Sequence, residues 1–214
     1  MQSTAAETEK RQSTRHGKFY IIDTDIRGGG PGHGVVLANE SKLLTPPRLI
    51  IRPEAGGFPP LAENPHLVYD PAQGSMPRDL EASLSGYWLV SKRFKEALAS
   101  VDPDGFAFVP CIFTLPDGTE GPQHFLCDAL RELDAVDEAK SKLRVIESAD
   151  YENGKYYRLG GAVDLAFKSD VLGSAHAFRT PYSGDFVFCD WVLRDAIGGH
   201  GFTGVRFIDI TQGN

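Results

Sequence analysis

The chain has 214 residues, of which 41% are hydrophobic and 10% aromatic. This is enough apolar material to build the core of one folded domain, and more than disordered chains contain. The 29 acidic and 22 basic residues leave a net charge of -7. Nucleic-acid binders need a basic surface that displaces counterions, so the charge argues against a nucleic-acid partner and favours a partner with a basic surface.

The cysteines Cys111, Cys127 and Cys189 are widely spaced and flanked by apolar or aromatic residues. Three cysteines in this arrangement predict neither a disulfide framework nor a zinc site, and we expect buried thiols in a reducing compartment. The first residues lack the apolar stretch of a signal peptide, and no 18 apolar residues run together. These features predict a cytoplasmic protein with no membrane partner.

The N-terminal part of the chain is predicted to contain little helix. Residues 1–17 are polar and lack a hydrophobic period, so we expect a disordered tail before a folded domain at 18–214. Aromatic and β-branched residues predict a first strand at 18–23, and a glycine-rich loop follows at 28–34. Eight prolines between residues 45 and 77 exclude long helices there, because each one removes a backbone donor.

The proline-rich stretch still predicts a short edge strand at 48–52 and an extended segment that ends at 68–71. The clearest helix follows at 92–99, where Ser91 is placed as an N-cap and apolar residues recur at i, i+3 and i+4. This spacing predicts one buried helix face.

The middle of the chain predicts a hairpin. Residues 106–115 form an apolar run that is broken by Pro110 and ends at a Pro-Asp-Gly turn, and the chain returns through 124–127. The segment 127–142 is acidic and mildly amphipathic, and it predicts a short helix or a pair of turns.

The C-terminal third predicts short strands and one more helix. The predicted strands lie at 155–158, 162–167, 175–179, 185–188 and 204–210. Asp190 is the expected N-cap of a helix over 190–197, which Gly198 and Gly199 end in a left-handed conformation. No repeat of fixed period is evident. The whole pattern predicts a single-domain α+β fold of mainly antiparallel short strands with two to four helices.

No segment matches a catalytic, nucleotide or metal motif, so we expect no cofactor. The Gly28–Gly34 loop lacks the Lys and Ser/Thr of a phosphate-binding loop, although Val35–Ala38 could begin a helix after it. A small intracellular hydrolase or transferase that uses this loop and a histidine remains the alternative function. A Cys111, His124 and Asp128 triad across the predicted hairpin is a further alternative, but an apolar cysteine is usually part of a core.

An acidic surface is the best candidate for a partner contact. The carboxylates lie in one short stretch, at Asp128, Glu132, Asp134, Asp137 and Glu138. Their spacing does not match a calcium loop. They form either a solvated face or a patch that docks on a basic partner.

Several segments in chain order resemble one bacterial family. They are WLVSKRFKEAL at 88–98, GFAFVPC at 105–111, LDAVDEAKS at 133–141, HAFR at 176–179, and VLRDAI at 192–197 followed by GFTGVRF at 201–207. This series resembles the eleventh immunity family of bacterial polymorphic-toxin systems, formerly a domain of unknown function, over residues 18 to 210. The resemblance implies an α+β protein that is encoded beside a toxin and neutralises that toxin in the producing cell. It implies no catalytic residues.

Overall fold

The computed structural model describes residues 17–26, 32–43, 52–53, 55–82, 86–161, 163–184 and 186–211. The strands in these ranges are β1 (Phe19–Thr24), β2 (Val35–Leu37), β3 (His66–Tyr69), β4 (Leu80–Ala82), β5 (Trp88–Ser91), β6 (Phe106–Pro110), β7 (Ile112–Thr114), β8 (His124–Ala129), β9 (Arg144–Glu147), β10 (Lys155–Arg158), β11 (Ala177–Phe178), β12 (Val187–Asp190) and β13 (Val205–Asp209). The helices are α1 (Glu40–Leu43), α2 (Lys92–Val101), α3 (Ser169–Leu172) and α4 (Trp191–Gly198). The predicted α+β class with mainly antiparallel strands is confirmed, and strands account for more of the described residues than helices do.

Two antiparallel four-stranded sheets, in the orders β4-β5-β8-β6 and β11-β12-β1-β13, form the centre of the fold. A third sheet joins β2 antiparallel to β3 and β3 parallel to β7. The hairpin of β9 and β10 is the fourth. Within the described ranges, long helices are inserted only between strands of the two central sheets.

The two central sheets have the same topology. In unit one (β4, β5, α2, β6 and β8), β5 runs directly into α2, and β6 returns parallel to β5 with β8 between them. In unit two (β11, β12, α4, β13 and β1), β12 runs into α4, and β13 returns parallel to β12 with β1 between them. The register also agrees, since Ser91 faces His124 in unit one and Asp190 faces Phe19 in unit two.

A constant sequence offset relates the strand-helix-strand parts of the units. Ser91 corresponds to Asp190 and Gly105 to Gly204, in each case 99 positions later. The segments VSKRFKEALA and CDWVLRDAIG, at 90–99 and 189–198, share their pattern of polar and apolar residues except that Lys92 and Arg93 correspond to Trp191 and Val192. The sequence shows no repeat of fixed period, yet the two units repeat one topology. The repeat is hard to see because the central strand of unit two, β1, comes from the other end of the chain.

One apolar core joins the two units. The helices α2 and α4 pack against each other and bury equivalent side chains: Phe94 and Leu98 from α2, and Leu193 and Ile197 from α4. The inner faces of both sheets complete this core. Second cores cover their outer faces, so strands such as β8 are buried on both sides. The continuous apolar runs in the sequence reflect this two-sided burial.

Each unit fixes the first strand of the other. Asp79, which precedes β4, accepts hydrogen bonds from the Thr203 amide (2.8 Å) and hydroxyl (2.9 Å) in the loop of unit two. Asp102, which follows α2, accepts from the amides of His176 and Ala177 (both 3.0 Å), where β11 begins. These reciprocal bonds tie the two units into one rigid centre.

Most of the predicted elements are confirmed. The first strand lies at Phe19–Thr24, and both long helices begin where their N-caps predict. The Ser91 hydroxyl accepts from the Phe94 amide (3.3 Å), and the Asp190 carboxylate accepts from the Leu193 amide (3.0 Å). Such bonds satisfy amides that have no partner within the helix.

Some predicted elements are wrong. Residues 127–142 form the end of β8, an extended segment and a turn, without the suggested helix, because Cys127 and Asp128 are drawn into the interior of a sheet. The run at 106–115 is broken at Pro110 as predicted, and β6 pairs antiparallel with β8 as in the predicted hairpin, but β7 leaves the hairpin and joins another sheet. Gly199 ends α4 in a right-handed conformation, at φ -85°.

Some predictions concern residues that the structure does not describe. Residues 1–16 of the predicted disordered tail lie outside the described residues. The same is true of most of the predicted edge strand at 48–52, of which only Arg52 is described. The extended segment that ends near 68–71 is confirmed as β3.

Candidate functional site

The acidic stretch forms a surface segment along one edge of unit two. The Leu133 amide donates to the Arg179 carbonyl (2.8 Å), and the Arg179 amide donates to the Arg131 carbonyl (2.8 Å). These bonds hold the segment beside β11 in an extended conformation. Glu132, Asp134 and Glu138 are exposed and Asp137 is half-buried, so we call these four residues the acidic patch.

Asp128 does not belong to the acidic patch. It lies in β8 with 3% of its side chain exposed, between the guanidinium groups of Arg52 (3.0 Å) and Arg179 (3.5 Å). The Gly57 amide also donates to its carboxylate (2.8 Å). Burial raises the pKa of Asp128, although the two arginines and the Gly57 amide oppose this effect. The expectation that Asp128 forms part of an exposed contact surface is therefore wrong.

Lysines accompany the carboxylates of the acidic patch. Lys168 lies 3.6 Å from Asp134, and Lys155 lies 2.5 Å from Glu138. The Tyr157 hydroxyl also donates to Glu138 (2.6 Å). The hydrogen bond from Lys155, followed by the one from Tyr157, lowers the pKa of Glu138. Exposed ion pairs of this kind contribute little to stability, so they can be exchanged for a partner's cations at small cost.

A polar cleft of about 410 Å³ opens beside the acidic patch. Its lining includes Arg52 and the buried Arg179 together with the exposed Glu132 and Glu152. The charges of both signs in this lining suit a polar protein surface better than a single small anion. The cleft therefore extends the candidate contact surface around Glu132.

The residues of the alternative catalytic hypotheses serve structural roles. Cys111 is buried, which raises the pKa of its thiol to about 12, and a protonated thiol is a poor nucleophile. The Nδ1 atom of His124 bonds to the Pro122 carbonyl (2.8 Å), while Asp128 is bonded to the arginines. The proposed triad of these three residues does not form.

The described end of the glycine-rich loop is packed against a turn. A Cβ atom on Gly34 would lie 2.3 Å from the Asp70 carbonyl oxygen, so this close approach requires glycine. The following residues, Val35–Leu37, form a strand, whereas a phosphate-binding loop opens a helix. The helix suggested after this loop is therefore wrong, while Gly28–Pro31 lie outside the described residues.

Neither a metal cluster nor a membrane span is found in the described ranges. No three His, Cys, Asp or Glu side chains there are close enough to hold a metal ion together. None of the helices in these ranges is long and apolar enough to cross a membrane.

Comparison with protein families matches residues 18–212 to the Immunity protein family (Imm11). The chain belongs to this family. The match runs through both units, the acidic patch and the polar cleft, and it confirms the resemblance seen in the sequence. Among curated proteins, none is significantly similar to the chain. Membership supports an immunity function in general terms and, with it, a protein partner.

Proposed function

We propose that this protein binds a cognate antibacterial toxin in the cytoplasm of the producing cell and neutralises it there without chemistry of its own. The observation that carries the proposal is the family match over residues 18–212. The strand Val35–Leu37 after the glycine-rich loop supports a binding function over the hydrolase or transferase alternative. The burial of Cys111 and the hydrogen bond of His124 to the Pro122 carbonyl argue against the triad.

The centre of the fold suits a protein that acts by surface complementarity. The two units share one core and are tied by reciprocal hydrogen bonds, an arrangement that favours a preorganised surface. A preorganised surface avoids part of the entropic cost of association. The net charge of -7 favours encounter with a basic toxin surface and disfavours nucleic acid.

The test is co-expression with the toxin encoded by the neighbouring open reading frame. Cells that express this toxin with the full-length chain are expected to survive, and cells that express it alone to die. The purified toxin domain is expected to form a stable complex with the chain in calorimetry. Survival without a complex, or a complex without protection, would contradict the proposal.

We propose that the acidic patch guides this encounter. A Glu132→Lys, Asp134→Lys double variant is expected to lower the association rate about tenfold at low salt, because it replaces attraction of a basic toxin surface by repulsion. The difference from the wild-type chain is expected to shrink at high salt, where exposed charges are screened. Stopped-flow association at two salt concentrations measures both effects.

The matched control reverses two other exposed carboxylates, with Glu96→Lys in α2 and Glu120→Lys before β8. Both double variants change the net charge of the chain equally, but Glu120 lies at the opposite end of β8 from the residues that lead into the acidic patch. An equal slowing in both variants would show that overall charge, and not the patch, guides the encounter.

A further inference from the structure

Strand β13 presents an open edge. It lies at the end of its sheet, and no other strand in the described ranges pairs with its outer side. The Asp25 amide donates to Gly204 (2.8 Å) and the Ile210 amide donates to Phe19 (3.2 Å), which marks positions 204 and 210 as inward-facing. Because hydrogen-bonding direction alternates along an antiparallel strand, the backbone groups of residues 205, 207 and 209 face outward.

The equivalent edge of unit one is partly blocked. In β6, the bonds from Leu130 to Gly105 (2.9 Å) and from Cys111 to His124 (3.0 Å) mark the inward positions, so Pro110 faces outward. Proline has no amide donor and blocks the addition of a strand at a sheet edge. At the equivalent position of β13 the residue is Asp209, which keeps its amide.

A groove of about 450 Å³ lies beside the β13 edge, between this strand and α4. Phe202, Phe207 and Ile208 contribute apolar surface to its lining. The charged residues that line it are Arg194 and Arg206, which pair with Asp195 (2.8 Å) and Asp23 (2.5 Å) and keep 43% and 29% of their side chains exposed. In both units a cation from the helix lies over a ring of the central strand: Lys95 over Phe125 (4.6 Å) in unit one and Arg194 over Tyr20 (5.7 Å) in unit two.

We propose that β13 and this groove bind an extended segment of the toxin as an added strand. The segment pairs with the outward backbone groups of residues 205, 207 and 209, and alternate side chains enter the groove. Because Arg194 and Arg206 are partly exposed and exposed ion pairs are exchanged at small cost, a segment that carries apolar side chains and at least one carboxylate suits this groove. This inference rests on the proposed function and identifies the contact that serves it.

The β13 edge and the acidic patch can be tested independently. The patch borders β11 and the groove borders β13, at opposite edges of the same four-stranded sheet. Strands lie about 4.8 Å apart, so the two edges are separated by roughly 14 Å. One toxin domain of ordinary size spans this distance.

The experiment compares Asp209→Pro with Asp209→Ala in the full-length chain, using the toxin domain from the neighbouring open reading frame. Both variants remove the carboxylate that bonds Lys18 and Thr211, but only proline also removes the outward amide. We expect the fold to accept proline here, because Pro110 holds the equivalent position in β6. We expect the Kd of Asp209→Pro to be at least tenfold weaker than that of Asp209→Ala, with equal thermal unfolding of the two variants.

Hydrogen exchange of the wild-type complex provides a second measurement, which does not depend on the folding of a variant. The Val205 and Phe207 amides are expected to gain protection when the toxin binds. Equal toxin affinity of Asp209→Pro and Asp209→Ala, or Val205 and Phe207 amides that gain no protection, would refute the proposal of an added strand. Either result would leave the proposed function intact. A wild-type dimer that Asp209→Pro dissociates would assign the edge to a second copy of the chain. A wild-type chain that does not bind the toxin at all would refute the proposed function as well.

Discussion

Replacing Asp128 by alanine is expected to lower the free energy of unfolding by about 3–5 kcal/mol, the usual cost of removing one partner from a buried ion pair. The carboxylate is 3% exposed and is shared by Arg52 and Arg179, and the side chain of Arg179 is itself 5% exposed. Without the Asp128 carboxylate, the positive charges of Arg52 and Arg179 lie close together with no anion between them. Chemical denaturation of the variant and the wild-type chain measures the difference.

The structural repeat supplies the matched control. Asp23 holds the position in β1 that Asp128 holds in β8, and it pairs with Arg206, which faces it in β13. Because about a third of each of these side chains is exposed, Asp23→Ala is expected to cost about 1 kcal/mol or less. Equal losses of unfolding free energy in Asp128→Ala and Asp23→Ala would show that burial does not determine how much these ion pairs stabilise the fold.

The sequence predicts the local structure well because local causes determine it. Ser91 and Asp190 are short polar side chains directly before amphipathic runs, and each caps its helix as expected. The run of aromatic and β-branched residues at 18–23 likewise becomes β1. These features depend on neighbours within a few residues along the chain.

The arrangement of the units could not be predicted in the same way. The central strand of unit two is β1, whose partners β12 and β13 lie near the other end of the chain. No local pattern predicts this pairing, because contacts between residues so far apart in the sequence form only in the assembled fold. The open edge of β13 depends on the same pairing, so it too could not be predicted.

The burial of Asp128 could not be predicted from the acidic composition of its segment. Carboxylates are rarely buried without a partner, so the sequence predicts that an acidic stretch lies on the surface. The partners of Asp128 are Arg52 and Arg179, which are 76 and 51 positions away. The only local signal is the apolar run His124–Cys127 directly before it, which is typical of a strand buried on both faces.

Replacing Asp79 by asparagine is expected to cost about 2 kcal/mol at neutral pH. Although burial opposes ionisation, hydrogen bonds from Arg93, Thr203 and Ser91 outweigh it and lower the pKa of Asp79 from 3.8 to about 2. A folded-state pKa below the unfolded value means that the carboxylate stabilises the fold, by about 1.4 kcal/mol for each unit of difference. The variant loses this contribution.

The pH dependence of this effect has a definite sign. The stabilisation from Asp79 is fully present above the unfolded pKa of 3.8 and is lost as the pH falls through the folded pKa of about 2. The difference in unfolding free energy between the wild-type chain and Asp79→Asn should therefore be constant from pH 7 to about 5 and shrink between about pH 4 and 2. Asp104→Asn, in the exposed loop after α2, is the control, with an expected change within 0.5 kcal/mol. A difference that did not depend on pH would mean that Asp79 acts by packing alone and that its charge does not hold the loop of unit two against unit one.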